Sequence, residues 1–116
     1  MYAFPVKILK NITCNSTGYI LYLNMIKSFR HKGLEKLFLY DDRSRINPDH
    51  VTKIIRILDR LDASTSPYDM NLPGYRLHEL KGKEKRTWSV SVSGNWRITF
   101  QFEGNYAINI DYIDYQ

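Results

Sequence analysis

The sequence predicts an α+β fold in which two N-terminal helices pack on a mainly antiparallel sheet. Three observations predict it. Apolar residues recur at helical spacing between Leu34 and Leu61, and apolar and polar residues alternate from Trp88 to Tyr112. Glycine-bearing turns join the alternating runs into hairpins.

Residues 1–24 show neither period and contain Pro5 and Gly18. They are read as an N-terminal extension outside the fold, either disordered or the product of a start codon placed too early. The patterned domain spans 25–116. Ile26 and Phe29 suggest a short strand, and Leu34, Leu37 and Phe38 then follow the i, i+3, i+4 rule of a helix running from His31 to Asp41. Asn47 is suited to cap the second helix, with Pro48 at its first position and Asp49 facing the positive end of its dipole. Val51, Ile54, Ile55, Leu58 and Leu61 form its apolar stripe. Lys53, Arg56 and Arg60 share another face, either a solvated surface or a contact for nucleic acid or a partner protein.

Ser66-Pro67-Tyr68-Asp69 and Pro73-Gly74 read as loop and turn. Tyr75–Leu80 is predicted as a strand. Trp88, Val90 and Val92 then alternate with serines, and Trp96, Ile98, Phe100 and Phe102 alternate with Arg97, Thr99 and Gln101. A last strand from Ala107 to Tyr112 sets Ile108 and Ile110 against Asn109 and Asp111. Burial of the apolar set against the helices would leave Ser89, Ser91, Arg97, Thr99, Gln101, Asn109 and Asp111 on an open polar face.

With 116 residues the chain supports one modest core. No apolar run approaches the roughly 20 residues of a membrane span, and the N-terminus lacks a secretory pattern, so a cytoplasmic location is expected. The single cysteine, Cys14, excludes an internal disulfide and a cysteine-based zinc site. The net charge is +5. It is concentrated between Arg76 and Arg97, where six basic residues meet two acidic ones, which points to a nucleic-acid partner. No phosphate-binding glycine motif, nucleophile elbow or metal-ligand cluster is present.

Four segments in order carry a family resemblance: Met25-Ile26-Lys27-Ser28-Phe29-Arg30-His31-Lys32-Gly33-Leu34, Leu77-His78-Glu79-Leu80-Lys81-Gly82, Trp88-Ser89-Val90 with Asn95-Trp96-Arg97-Ile98-Thr99-Phe100, and Asp111-Tyr112-Ile113-Asp114-Tyr115. From Met25 to Gln116 the chain resembles the HigB toxins, or plasmid maintenance system killer proteins, of the RelE/ParE superfamily. The resemblance implies a RelE-like fold and a toxin of a type II toxin-antitoxin system that cleaves mRNA on the translating ribosome and inhibits translation. It also implies a helix-turn-helix antitoxin of the HigA type. In the implied reaction the ribose 2′-OH attacks the adjacent phosphate and expels the 5′-oxygen, without metal or cofactor.

That reaction needs a proton acceptor, a proton donor and positive charge at the phosphate. By the resemblance His78 is the acid-base candidate, Lys81 and Arg97 supply charge, and Asp114 and Tyr115 orient or stack. Gln116 stands where the family ends in histidine, and its amide does not exchange protons near neutral pH. Lys83, Lys85, Arg86, Lys53 and Arg56 are the RNA-binding candidates. Two other functions compete: a gyrase inhibitor of the ParE type, and a catalytically degenerate toxin that only binds antitoxin. Retention of His78, Lys81 and Arg97 together argues against the gyrase reading.

Overall fold

The computed structural model describes residues 12–14, 20–22, 26–82 and 86–114. Ile12–Cys14 (β1) and Ile20–Tyr22 (β2) form an antiparallel hairpin in the segment where no period was read. The helices are therefore not the first elements of the chain. Ile26 and Phe29 make isolated parallel bridges to Ala107 and Ile110, so the expected opening strand exists as two contacts rather than a continuous ladder. Asp62 helps seat it, with its carboxylate accepting a hydrogen bond from the Ile26 N–H at 3.3 Å.

The first helix, α1, spans Lys32–Tyr40. His31 caps it, its Nδ1 accepting from the Leu34 N–H at 3.1 Å, and Asp41 ends it in the left-handed region at φ 58°. Gly33 is required here, because a Cβ at that position would stand 2.7 Å from the His31 ring and 2.8 Å from the Arg45 Cβ. Asn47 caps a 3₁₀ turn, Pro48–His50, at the Asp49 N–H instead of capping the α-helix itself; the turn leads into α2, Val51–Asp62, which has no side-chain cap of its own. The buried stripe of α2 is Val51, Ile54, Ile57, Leu58 and Leu61. Ile57 thus takes the place assigned to Ile55, which is only half-buried. At about 100° per residue Ile57 lies about 60° from Ile54, the centre of the buried arc, and next to Leu61, whereas Ile55 lies about 100° from that centre.

Four antiparallel strands follow in the order β3 (His78–Glu79), β4 (Trp88–Ser93), β5 (Trp96–Glu103) and β6 (Tyr106–Asp114). Gly94 and Gly104 supply the positive φ of the two hairpin turns. The strand predicted over Tyr75–Leu80 shrinks to two residues. Arg76 adopts φ 51°, which breaks the extended run, although Tyr75 C=O still accepts from Ser91 N–H and Leu80 N–H donates to Thr87 C=O.

In β6 the alternation is interrupted. The register with β5 shifts between Thr99 and Gln101, and Asn109 takes φ 54°. The extra residue of this bulge reverses the side-chain parity, so Ala107, Ile110 and Tyr112 face the core and Ile108 pairs with Gln101 instead of burying with Ile110. Ser28 locks the bulge by accepting the Asn109 N–H at 2.8 Å, and Asn109 in turn donates to Gln101 at 2.9 Å. Leu34, Ile54, Ile57, Leu61, Val90, Ile98, Phe100 and Ile110 fill the core without exposure. Among the described residues, no helix is long and apolar enough to cross a membrane.

Candidate active site

The sheet register decides which site candidates meet. His78 pairs with Ser89, Ser89 with Thr99, and Thr99 with Asp111, which gives one polar row across all four strands. The next row toward the end of β6 is Ser91, Arg97 and Ile113. Directly paired residues point to the same side of a sheet, so His78 and Arg97 share a face. They are two strands and two residues apart, about 12 Å between Cα atoms from ordinary strand spacings. A long arginine side chain and a bound nucleotide can bridge that distance.

The polar face is not as open as its alternation suggests. Ser89 is completely buried and Thr99 is 5 % exposed. Ser89 Oγ has no hydrogen-bond partner, and Nε and Nη1 of the half-buried Arg97 are shielded from solvent. Arg97 therefore presents its charge from a partly desolvated position, where it acts more strongly on a nearby anion than a surface cation does. Thr87, Gln101 and Asn109 continue the face as a chain of 2.9 Å hydrogen bonds.

Lys81 stands just beyond β3. With Glu79, Leu80, Gly82 and Arg86 it lines an open depression of about 380 Å³. Arg86, in the β3–β4 connection, adopts φ 65°, and Arg76, just before β3, adopts φ 51°; each left-handed arginine costs about 1–2 kcal/mol, and such residues tend to gather at functional sites. His78, Lys81 and Arg86 are all exposed. Lys83 and Lys85 lie outside the described residues, as do Tyr115 and Gln116.

Asp114 ends β6 and pairs with Trp96, so its register puts it on the Trp96 side of the ladder and not on the Arg97 side. The helical cations are separate again. Lys53 donates to the Gly74 carbonyl at 3.2 Å and lies 5.6 Å from the Tyr75 ring centre, bracing the loop that leads to His78. Arg60 holds the Asp69 carbonyl at 3.0 Å, and Arg56 is exposed.

Two features escaped sequence reasoning. One is the orphaned Ser89 hydroxyl, which only the register and burial reveal. The other is a buried pair of titratable groups, His50 Nδ1 and Tyr112 Oη, 2.7 Å apart. Burial pushes the Tyr112 phenol above its ordinary value of 10.0, and the nearby Asn47 backbone N–H works in the opposite direction.

The sequence profile of the RelE-like toxin of type II toxin-antitoxin system HigB matches residues 27–116. The chain is 43 % identical over 91 residues to Endoribonuclease HigB of Proteus vulgaris, covering 78 % of this chain and 99 % of that protein. It is 33 % identical over 92 residues to Toxin HigB-1 of Vibrio cholerae serotype O1, covering 78 % of this chain and 96 % of the relative. The matched region contains both helices, the four-stranded sheet and the His78–Arg97 face, and the chain belongs to the HigB family of RelE-like toxins of type II toxin-antitoxin systems.

Proposed function

We propose that the chain is an endoribonuclease that cuts mRNA on the translating ribosome by 2′-OH attack on the adjacent phosphate, and that residues 25–116 constitute the toxin domain. The observation that carries this reading is the shared face of His78 and Arg97. The name of the Proteus vulgaris relative supports it. The ribose oxygen forms the new bond to phosphorus, the bond from phosphorus to the 5′-oxygen breaks, and two proton transfers accompany them. His78 exchanges protons with the reacting oxygens. Arg97 and Lys81 offset the charge that develops on the phosphoryl oxygens. Tyr115 orients the substrate, Asp114 assists from the end of β6 although it lies on the Trp96 side of the ladder, and Gln116 acts by positioning, since an amide transfers no proton near neutral pH.

Arg86 extends the cationic rim beside the depression at Glu79–Gly82 toward the RNA backbone, and Lys83 and Lys85, its neighbours in sequence, bind RNA as well. Lys53 and Arg56 add charge on the helical side. The antitoxin that a type II system implies is of the helix-turn-helix HigA type, and the complex works in the cytoplasm. Induced expression with parallel transcript mapping and DNA-damage reporting tests the reading. Growth arrest with cleaved transcripts is expected. DNA damage without cleavage would indicate a gyrase inhibitor, and neither effect a toxin that only binds its antitoxin.

A further inference from the structure

At the end of the sheet that carries Arg97 and Asp114, the core contains an imidazole, a phenol and an indole in mutual contact. The Trp96 and Tyr112 rings stack with centroids 4.6 Å apart and planes at 30°. The Tyr112 hydroxyl meets His50 Nδ1 at 2.7 Å. The His50 ring packs 5.7 Å from Trp96, and His31 meets the edge of Tyr112 at 5.5 Å. His50 and Tyr112 are 6 % and 7 % exposed, so this is core and not surface. The cluster joins four elements: the cap of α1, the turn before α2, the start of β5 and the end of β6.

Its place in the chain is what matters for the reaction. Trp96 is covalently next to Arg97 and is the cross-strand partner of Asp114. Tyr112 precedes by one residue Ile113, the cross-strand partner of Arg97. Both strands are at their ends here, where ladders open most easily. An apolar plug would fill the same space. Burying a histidine and a tyrosine costs free energy unless they bond each other, and a bond of that kind fixes orientation as well as contact. The hydroxyl and Nδ1 satisfy each other, so neither is buried without a partner.

We propose that His50, Tyr112 and Trp96 form a clamp that positions the Arg97 and Asp114 ends of β5 and β6 for RNA cleavage; His50 and Tyr112 are its positioning residues. The inference rests on the catalytic reading given above. A displacement of about 1 Å in a catalytic group can lower a rate by about 10²-fold, so loosening this end should act on turnover more than on binding.

The test uses the full chain with Tyr112→Phe, His50→Leu, the double variant, and His50→Asn, whose side-chain amide replaces Nδ1 as the partner of the hydroxyl. Message cleavage is measured well below every melting temperature, and amide hydrogen exchange is followed where Trp96–Ile98 pairs with Tyr112–Asp114. Tyr112→Phe and His50→Leu are expected to lower kcat about tenfold or more with KM nearly unchanged, and the double variant to be no worse than either, since members of one unit are not additive. His50→Asn should recover most of the loss. Exchange should accelerate at this strand end and stay slow at Val90. Unchanged exchange, or full kcat in Tyr112→Phe, overturns the clamp. A parent protein that cleaves no message overturns the catalytic reading instead, and the exchange result alone then decides the clamp.

Discussion

Ser89 stands directly across the β3–β4 pair from His78, and its hydroxyl is fully buried without a hydrogen-bond partner. An unsatisfied buried hydroxyl costs about 1–3 kcal/mol, a penalty that a methyl group does not carry. Ser89→Ala should therefore melt at or above the parent temperature in a calorimetric scan. A loss of more than about 1 kcal/mol would show that the hydroxyl is bonded in solution.

Gly33 occupies a helical position where alanine is ordinarily better by about 1 kcal/mol. Here the added Cβ meets the capping His31 ring and the Arg45 Cβ. Gly33→Ala should destabilise the chain by about 1–3 kcal/mol, the usual range for an overpacked site, as read from urea denaturation. A stabilised variant would mean that His31 does not hold its capping position.

The Tyr112 phenol is raised above 10.0 by burial, so its neutral form is favoured in the folded state. Its contribution to stability is fully present below pH 10.0 and is lost as pH rises through the folded value. The informative quantity is the difference between the variant and the parent. The melting temperature of Tyr112→Phe should fall less steeply above pH 10 than that of the parent; parallel curves would contradict the assignment.

These cases show where the sequence was legible. Helix ends could be read because capping is local: His31, Asp41 and Asn47 act within a few residues of their own positions. The hairpins could be read from Gly94 and Gly104 for the same reason. Local pattern fails where a distant residue decides. The bulge at Asn109 depends on Ser28, 81 positions away, and it turned Ile108 out of the predicted core. Burial of Ser89 and Thr99, and the His50–Tyr112 pair, likewise depend on which strands meet. His78 and Arg97 were nominated by family likeness, and only the register of three strands puts them on one face.

A chain beginning at Met25 should retain the cooperative melting of the full chain, because the matched family region and the described core both begin after residue 25. Loss of more than about 1 kcal/mol on removing residues 1–24 would be large for a segment outside the core, and would make the β1–β2 hairpin part of the folding unit.

The most direct measurement of the central claim is the end chemistry of messages incubated with the purified protein in a defined translation system. Upstream fragments should end in a 2′,3′-cyclic phosphate and downstream fragments should begin with a 5′-hydroxyl. Arg97→Ala, assayed well below its melting temperature, should form them at least about 10²-fold more slowly, the usual effect of removing a group that stabilises transition-state charge. Intact messages with the parent protein, fragments with 3′-hydroxyl ends, or undiminished cleavage by Arg97→Ala would contradict that claim.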